Sequence, residues 1–214
     1  DPDDPGYDHH RLEALWTYQT LNTVEPDLLR SLMRARDFNA RAAATLVLRY
    51  WHPQITGALD LLAAQVTDDQ PRVRLAAVIT LSHIPSARAM ELAAMAVDRP
   101  LDRYLEQALQ GAANALKDAW LPAVEKGEVT FDNNPRRLAF ALQAVGSKDA
   151  AKPLFRLLSS GGLSLADRES ALEQIARLGG PEDHARLYNE DYEPALQAKV
   201  LTALARPDEE RKPR

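Results

Sequence analysis

Apolar residues recur three and four apart along this chain, in short blocks separated by proline, glycine or clusters of acidic residues. RLEALWTYQTL (11–21), PDLLRSLM (26–33), ARAAATLVLRYW (40–51), ITGALDLLAAQV (55–66), PRVRLAAVITLSHI (71–84), SARAMELAAMAV (86–97) and LDRYLEQALQGAANAL (101–116) all carry that spacing. It is the spacing of one buried helix face. Asp, Asn, Ser or Pro stands at or just before most of the starts, where it caps or opens a helix. Roughly thirteen short helices are expected, and no convincing strand pair. The stretch GEVTFDNN (127–134) interrupts the pattern, since Val129, Thr130 and Phe131 read like a scrap of strand before a turn-prone Asp132-Asn133-Asn134.

The helices are self-similar. Arg11, Arg41, Arg74, Arg103, Arg136 and Arg168 each lie near a helix start, about 29–33 residues apart. Four of them lead a run of packing positions at +3, +4 and +7, which share a face. These are Arg11 with Ala14, Leu15 and Tyr18; Arg41 with Ala44, Thr45 and Leu48; Arg74 with Ala77, Val78 and Leu81; and Arg168 with Ala171, Leu172 and Ile175. Lys199 would begin a weaker seventh unit. A second register agrees: KDAWLP (117–122) and KDAAKP (148–153) place a proline at the repeat spacing, which suggests a recurring bent helix.

A period of this length with two Ala-rich helices per unit describes an α-solenoid, in which each helical hairpin buries its apolar face against the next. VRLAAVITL (73–81) follows a Val-Arg-x-x-Ala-Ala pattern that looks like HEAT-type repeats. The expected fold is all-α: a right-handed solenoid of HEAT/armadillo-like hairpins, about six to seven of them. One domain is expected over residues 8–206, with a flexible lead-in at 1–7 and a flexible tail at 207–214. The chain begins at Asp1 rather than Met and reads as a fragment or processed product.

The periodic arginines admit two readings. They could form a guanidinium row that grips an acidic partner. Alternatively, Asp8, Asp37, Asp69, Asp132 and Asp167, and on the fourth unit Asp98 or Asp102, each stand shortly before an arginine. An aspartate at a helix entry can cap N–H groups and also accept a fork-like bond from an arginine of an adjoining repeat, a structural Asp–Arg ladder, and this second reading is the favoured one. The arginine-led helices are the expected partner-facing side.

Composition narrows the chemistry. Hydrophobic content of 45% with 27% charge is that of a folded protein. The net charge of −5 leaves no basic stripe of the kind nucleic acid requires. With no cysteine, these residues cannot form disulfides, thiolate zinc sites, a cysteine nucleophile or a c-type haem attachment. The five histidines form no His-Glu-x-x-His motif, and neither a Gly-x-Ser-x-Gly elbow nor a phosphate loop is present. No catalytic, cofactor-binding or metal-ligating residue is therefore nominated. Trp16, Trp51 and Trp120 are expected in the core or wedged between helices. Tyr50-Trp51 is the candidate partner anchor, since these residue types dominate binding hot spots.

From about residue 99 to 146, and most clearly in RYLEQALQGAANALKDAWLPAVEKGEVTFDNNPRRLAFALQAVG, the chain resembles the helical middle region of the large PVC-type haem-binding proteins of planctomycete and verrucomicrobial bacteria. RLEALWTYQTLN and ARAAATLVLRYW look like the same region, so the resemblance covers about residues 9–205. It implies a parent that joins a sorbosone-dehydrogenase-like β-propeller, this helical region and a cytochrome c domain. The same resemblance implies a periplasmic or cell-surface location, a haem-linked dehydrogenase as the parent, and haem c bound elsewhere in it. The function expected of this fragment is then that of a non-catalytic scaffold whose partners are other domains of its chain or a redox protein, without nucleic acid or membrane insertion. The alternative is a small-ligand-binding or catalytic protein that uses a groove of the solenoid. Within this repeat frame GEVTFDNN occupies the ordinary connection between units, with Val129 and Phe131 covering the stack and Asp132 or Asn134 capping the next helix.

Overall fold

The computed structural model describes residues 6–160, 162–189 and 198, and among these every regular element is helical. The chain divides into two compact units, residues 1–120 and 121–214, where the sequence reading expects one domain over 8–206. Each unit is described by itself. The proposed lead-in 1–7 ends sooner than expected, because Tyr7 already opens the first helix. Residues 1–5, the tail 207–214 and the Lys199 unit lie outside the described residues.

The first unit contains α1 (Tyr7–Thr20), α2 (Pro26–Leu32), α3 (Phe38–Trp51), α4 (Ala58–Val66), α5 (Pro71–Leu81), α6 (Ala87–Ala94) and α7 (Arg103–Ala115). α8 (Lys117–Lys126) contains the division, which falls between Trp120 and Leu121. α1, α3, α5 and α7 lie side by side in one layer, while α2, α4 and α6 pack behind them. This is an all-α helical-repeat fold, as the 3.6-residue periodicity implies. Small side chains set the closeness of the layer: Ala42, Val73 and Ala76 form a buried cluster of α3 and α5, and alanines there let helix axes approach. Polar groups in this core are satisfied across repeats. Thr80 Oγ1 donates to the Thr45 carbonyl at 3.0 Å, and Gln65 Nε2 donates to the Met33 carbonyl at 3.2 Å.

The second unit holds α9 (Pro135–Val145), α10 (Ala151–Ser160), α11 (Leu165–Leu178) and α12 (Pro181–Asn189). α9, α10 and α11 pack mutually and α12 covers α11. The two KDA-Pro segments differ from each other. Pro122 lies inside α8, but Pro153 falls in the first turn of α10 after a short 3-10 turn, Lys148–Ala150. A first-turn proline lacks only an N–H that has no helical partner, so no recurring bend is needed.

Candidate functional site

The chain corners that lead into α3 and α5 show what the periodic arginines do. Arg41 and Arg74 both occupy the fourth helical position after an N-cap residue, Asp37 and Gln70 respectively. Arg41 donates to the carbonyls of Ala35 and Arg36 at 2.8 and 3.1 Å. It also forks onto Asp68 in the next corner, through Nε at 2.8 Å and Nη2 at 3.1 Å. Arg74 repeats the arrangement one unit later. It donates to the Asp68 and Asp69 carbonyls at 2.9 and 3.0 Å and to the Pro100 carbonyl, in the following corner, at 3.2 Å. Each guanidinium thus satisfies the carbonyls of its own corner and reaches one corner further, a geometry that the planar fork of arginine suits and lysine does not. Arg74 is only 3% exposed, and its Nε is buried without a partner.

Two carboxylates of the corner before α5, Asp68 and Asp69, pair with arginines from other corners. Arg41 takes Asp68, the neighbour of the nominated Asp69 in the following corner, while the Asp37 carboxylate caps its own helix by accepting from the Asn39 N–H at 2.9 Å. Asp69 pairs with Arg99 at 2.8 Å, not with Arg74, which is served by carbonyls alone. Asp8 sits 3.5 Å from Arg11 and accepts from the Asp37 N–H, while Arg11 also meets the Ser31 hydroxyl. Arg103 and Arg136 do not belong to the set. They are the first and second residues of their helices, so the fourth positions are held by Glu106 and Leu138. Arg103 lies over the Tyr104 ring at 5.3 Å, and Asp132 pairs with Arg137 at 2.6 Å. Arg168 does return to the fourth position, after Ser164; Asp167 forms a reciprocal cap with that serine.

With Arg41 and Arg74 committed to the corners, the open side of the α1–α3–α5–α7 layer carries other residues. The fifth residue after Arg11, Arg41 and Arg74 is Trp16, Leu46 and Ile79, a row of large apolar side chains. Trp16 is 43% exposed and Leu46 40%, with Ile79 half-buried. Tyr50, one turn beyond Leu46, is 61% exposed and carries Arg49 over its ring at 5.3 Å. Trp51 is not an anchor. At 2% exposure it continues the buried positions Ala44 and Leu48 of α3, and only Tyr50 of the pair faces out. Trp16 corrects a second expectation, since it shares its face with exposed His9 and Glu13 rather than with the core.

The second unit contributes a cleft of about 590 Å³ where GEVTFDNN meets α9 and α10. Phe131, Asp132 and Asn133 all have φ near +53°, a left-handed turn that seats the Phe131 ring completely inside. Asn134 caps α9 by accepting from the N–H groups of Arg136 and Arg137, so of the two expected caps Asn134 serves and Asp132 does not. This stretch is the connection between α8 and α9, and it also forms a wall of the cleft. The lining is Val124, Val129, Leu138, Pro153 and Leu157 with Thr130, Asn133 and Arg156, and it includes no carboxylate, imidazole or phenol. Among the described residues no group of three or more metal-ligating side chains converges, and no helix is long and apolar enough to cross a membrane.

The family model for HEAT repeats matches residues 25–114, the segment from α2 into α7. That segment is therefore similar to HEAT repeats over the same helices in which the arginine corners recur. No curated protein matches the chain.

Proposed function

We propose that this chain is a non-catalytic scaffold that binds a protein partner on the α3–α5 side of its arginine-led layer. The observation that carries the reading is the Leu46–Tyr50–Ile79 surface: large apolar side chains held outward on a rigid layer, inside the segment that matches HEAT repeats. Repeat arrays of this type bury each unit against its neighbours and leave one helix of each pair to meet a partner. An exposed tyrosine beside aliphatic side chains is the usual composition of a binding hot spot. A catalytic or small-ligand groove, the competing reading, draws no support from the second unit's cleft, where no acid and base converge.

A photo-cross-linking amino acid placed at Tyr50, and separately at exposed Ala64 on α4, tests this in the cells that make the protein. A discrete adduct from Tyr50 and none from Ala64 is expected. Equal labelling from both positions, or none from Tyr50, overturns the reading. The finer role follows from the PVC-type resemblance: a connector between a propeller and a cytochrome c domain of an exported redox protein, with haem c bound outside these cysteine-free residues. A gene that encodes Cys-x-x-Cys-His downstream and a strand-rich region upstream supports the connector; a stand-alone reading frame sinks it and leaves the scaffold in place.

A further inference from the structure

We infer that the partner segment recognised by the α3–α5 face is acidic and amphipathic, with aliphatic side chains on one side and carboxylates on the other. This rests on the interaction reading above and adds the chemistry of the partner. The chain holds 31 Asp and Glu residues and a net charge of −5, yet α3 (FNARAAATLVLRYW) and α5 (PRVRLAAVITL) contain no carboxylate at all. Four arginines stand on these two helices. Arg41 and Arg74 are consumed by the corners, which leaves Arg49 and Arg72.

Four other arginines of the first unit have carboxylate partners: Arg11 with Asp8, Arg30 with Asp27, Arg88 with Glu91 and Arg99 with Asp69. Among the described residues neither Arg49 nor Arg72 has a carboxylate partner. Arg72 is exposed in the first turn of α5, the end where the helix dipole disfavours a cation. The helix has no acidic residue in its first turn; the Asp68 carboxylate stands just before it and accepts from the Gln70 N–H at 2.8 Å.

Arg49 stands three residues after Leu46 on α3 and Arg72 seven residues before Ile79 on α5, spacings that keep each pair to one side of its helix. Aliphatic side chains at the centre of the patch cannot solvate a phosphate chain, and two guanidiniums are too few to drive the counterion release on which nucleic-acid binding depends. They do match a helix whose leucines cover Leu46 and Ile79 while its carboxylates reach the arginines at the edges, the arrangement of an apolar core with a charged rim. His83, exposed one turn beyond Ile79, adds a further polar edge without negative charge.

The test uses the 214-residue chain and a fluorescein-labelled amphipathic peptide with leucines on one face and glutamates on the other. Fluorescence anisotropy is compared with the same peptide carrying lysine for glutamate, and with a single-stranded DNA of equal charge. The glutamate peptide is expected to bind at least about tenfold tighter than either. The Arg49→Glu/Arg72→Glu double variant, on exposed or half-exposed positions and checked for unchanged helicity, is expected to lose at least about tenfold for the glutamate peptide and to gain for the lysine peptide. Indifference to the peptide's charge, tighter DNA binding, or an unchanged double variant overturns the inference. A Tyr50 adduct in cells alongside a failed glutamate peptide would reject the acidic partner class and retain the scaffold.

Discussion

Two corners of this molecule solve one problem in different ways. The corner before α5 is short, has no residue with positive φ, and is closed by Arg74 of the helix it opens and Arg41 of the preceding repeat. The corner before α9 has no arginine at the fourth helical position. It spans residues 127–134, turns left-handed through three consecutive non-glycine residues, and is held by the buried Phe131 ring and the Arg137–Asp132 pair. Left-handed backbone costs about 1–2 kcal/mol at an ordinary residue and less at Asp or Asn. Complete burial of a phenylalanine returns roughly 1.5–3 kcal/mol, enough to offset the strain at Phe131 itself. Where a guanidinium satisfies the corner, the backbone keeps ordinary angles and the corner relies on one carboxylate, Asp68, to receive it. Where it is missing, the turn depends on which residues it contains.

The sharpest way to break this contrast is Phe131→Ala. It removes the burial while leaving the strain, and should cost about 3–5 kcal/mol in urea denaturation; a loss below about 1 kcal/mol would separate the turn from the ring. The arginine corner is tested by Arg41→Ala, which strands a half-buried Asp68 carboxylate and two corner carbonyls. A loss of about 3 kcal/mol is expected. Arg103→Ala, the counterpart by chain spacing but not by helical position, should leave the urea midpoint unchanged; equal effects of the two would reject the register argument. Smallest of all, Asn133→Gly relaxes the left-handed position at an exposed side chain and should stabilise by about 0.5 kcal/mol, as read by the same midpoint. Destabilisation there would mean that the asparagine side chain holds the turn.

The helices and their repeat were legible because alanine-rich faces and arginine-led starts recur with little interruption. The four arginines that also led matching packing runs, Arg11, Arg41, Arg74 and Arg168, include every one that reaches the fourth position. Arg103 and Arg136 entered on chain spacing alone, and spacing does not record distance from the cap. The exposure of Trp16 and the burial of Trp51 were in principle readable, since Trp16 falls on the stripe of His9 and Glu13 and Trp51 on that of Ala44 and Leu48. Asp and Asn at 132–133 permit a left-handed turn, but a phenylalanine in that conformation requires a tertiary pocket that no local pattern announces. That Arg49 and Arg72 lack carboxylate partners was equally hidden, because only the structure shows that the arginines at 41 and 74 are already occupied.

The reach of Arg41 and Arg74 has a consequence for how such a chain can grow. Each joint is complete within one helical period: it closes the carbonyls five and six residues behind and the next corner ahead. A tandem duplication of residues 37–69 would therefore insert a copy whose leading and trailing joints already match those of its new neighbours. Genetic lengthening of the array between α3 and α5 needs no compensating substitution, whereas a copy that broke within the corner before α9 would carry its strain without its ring.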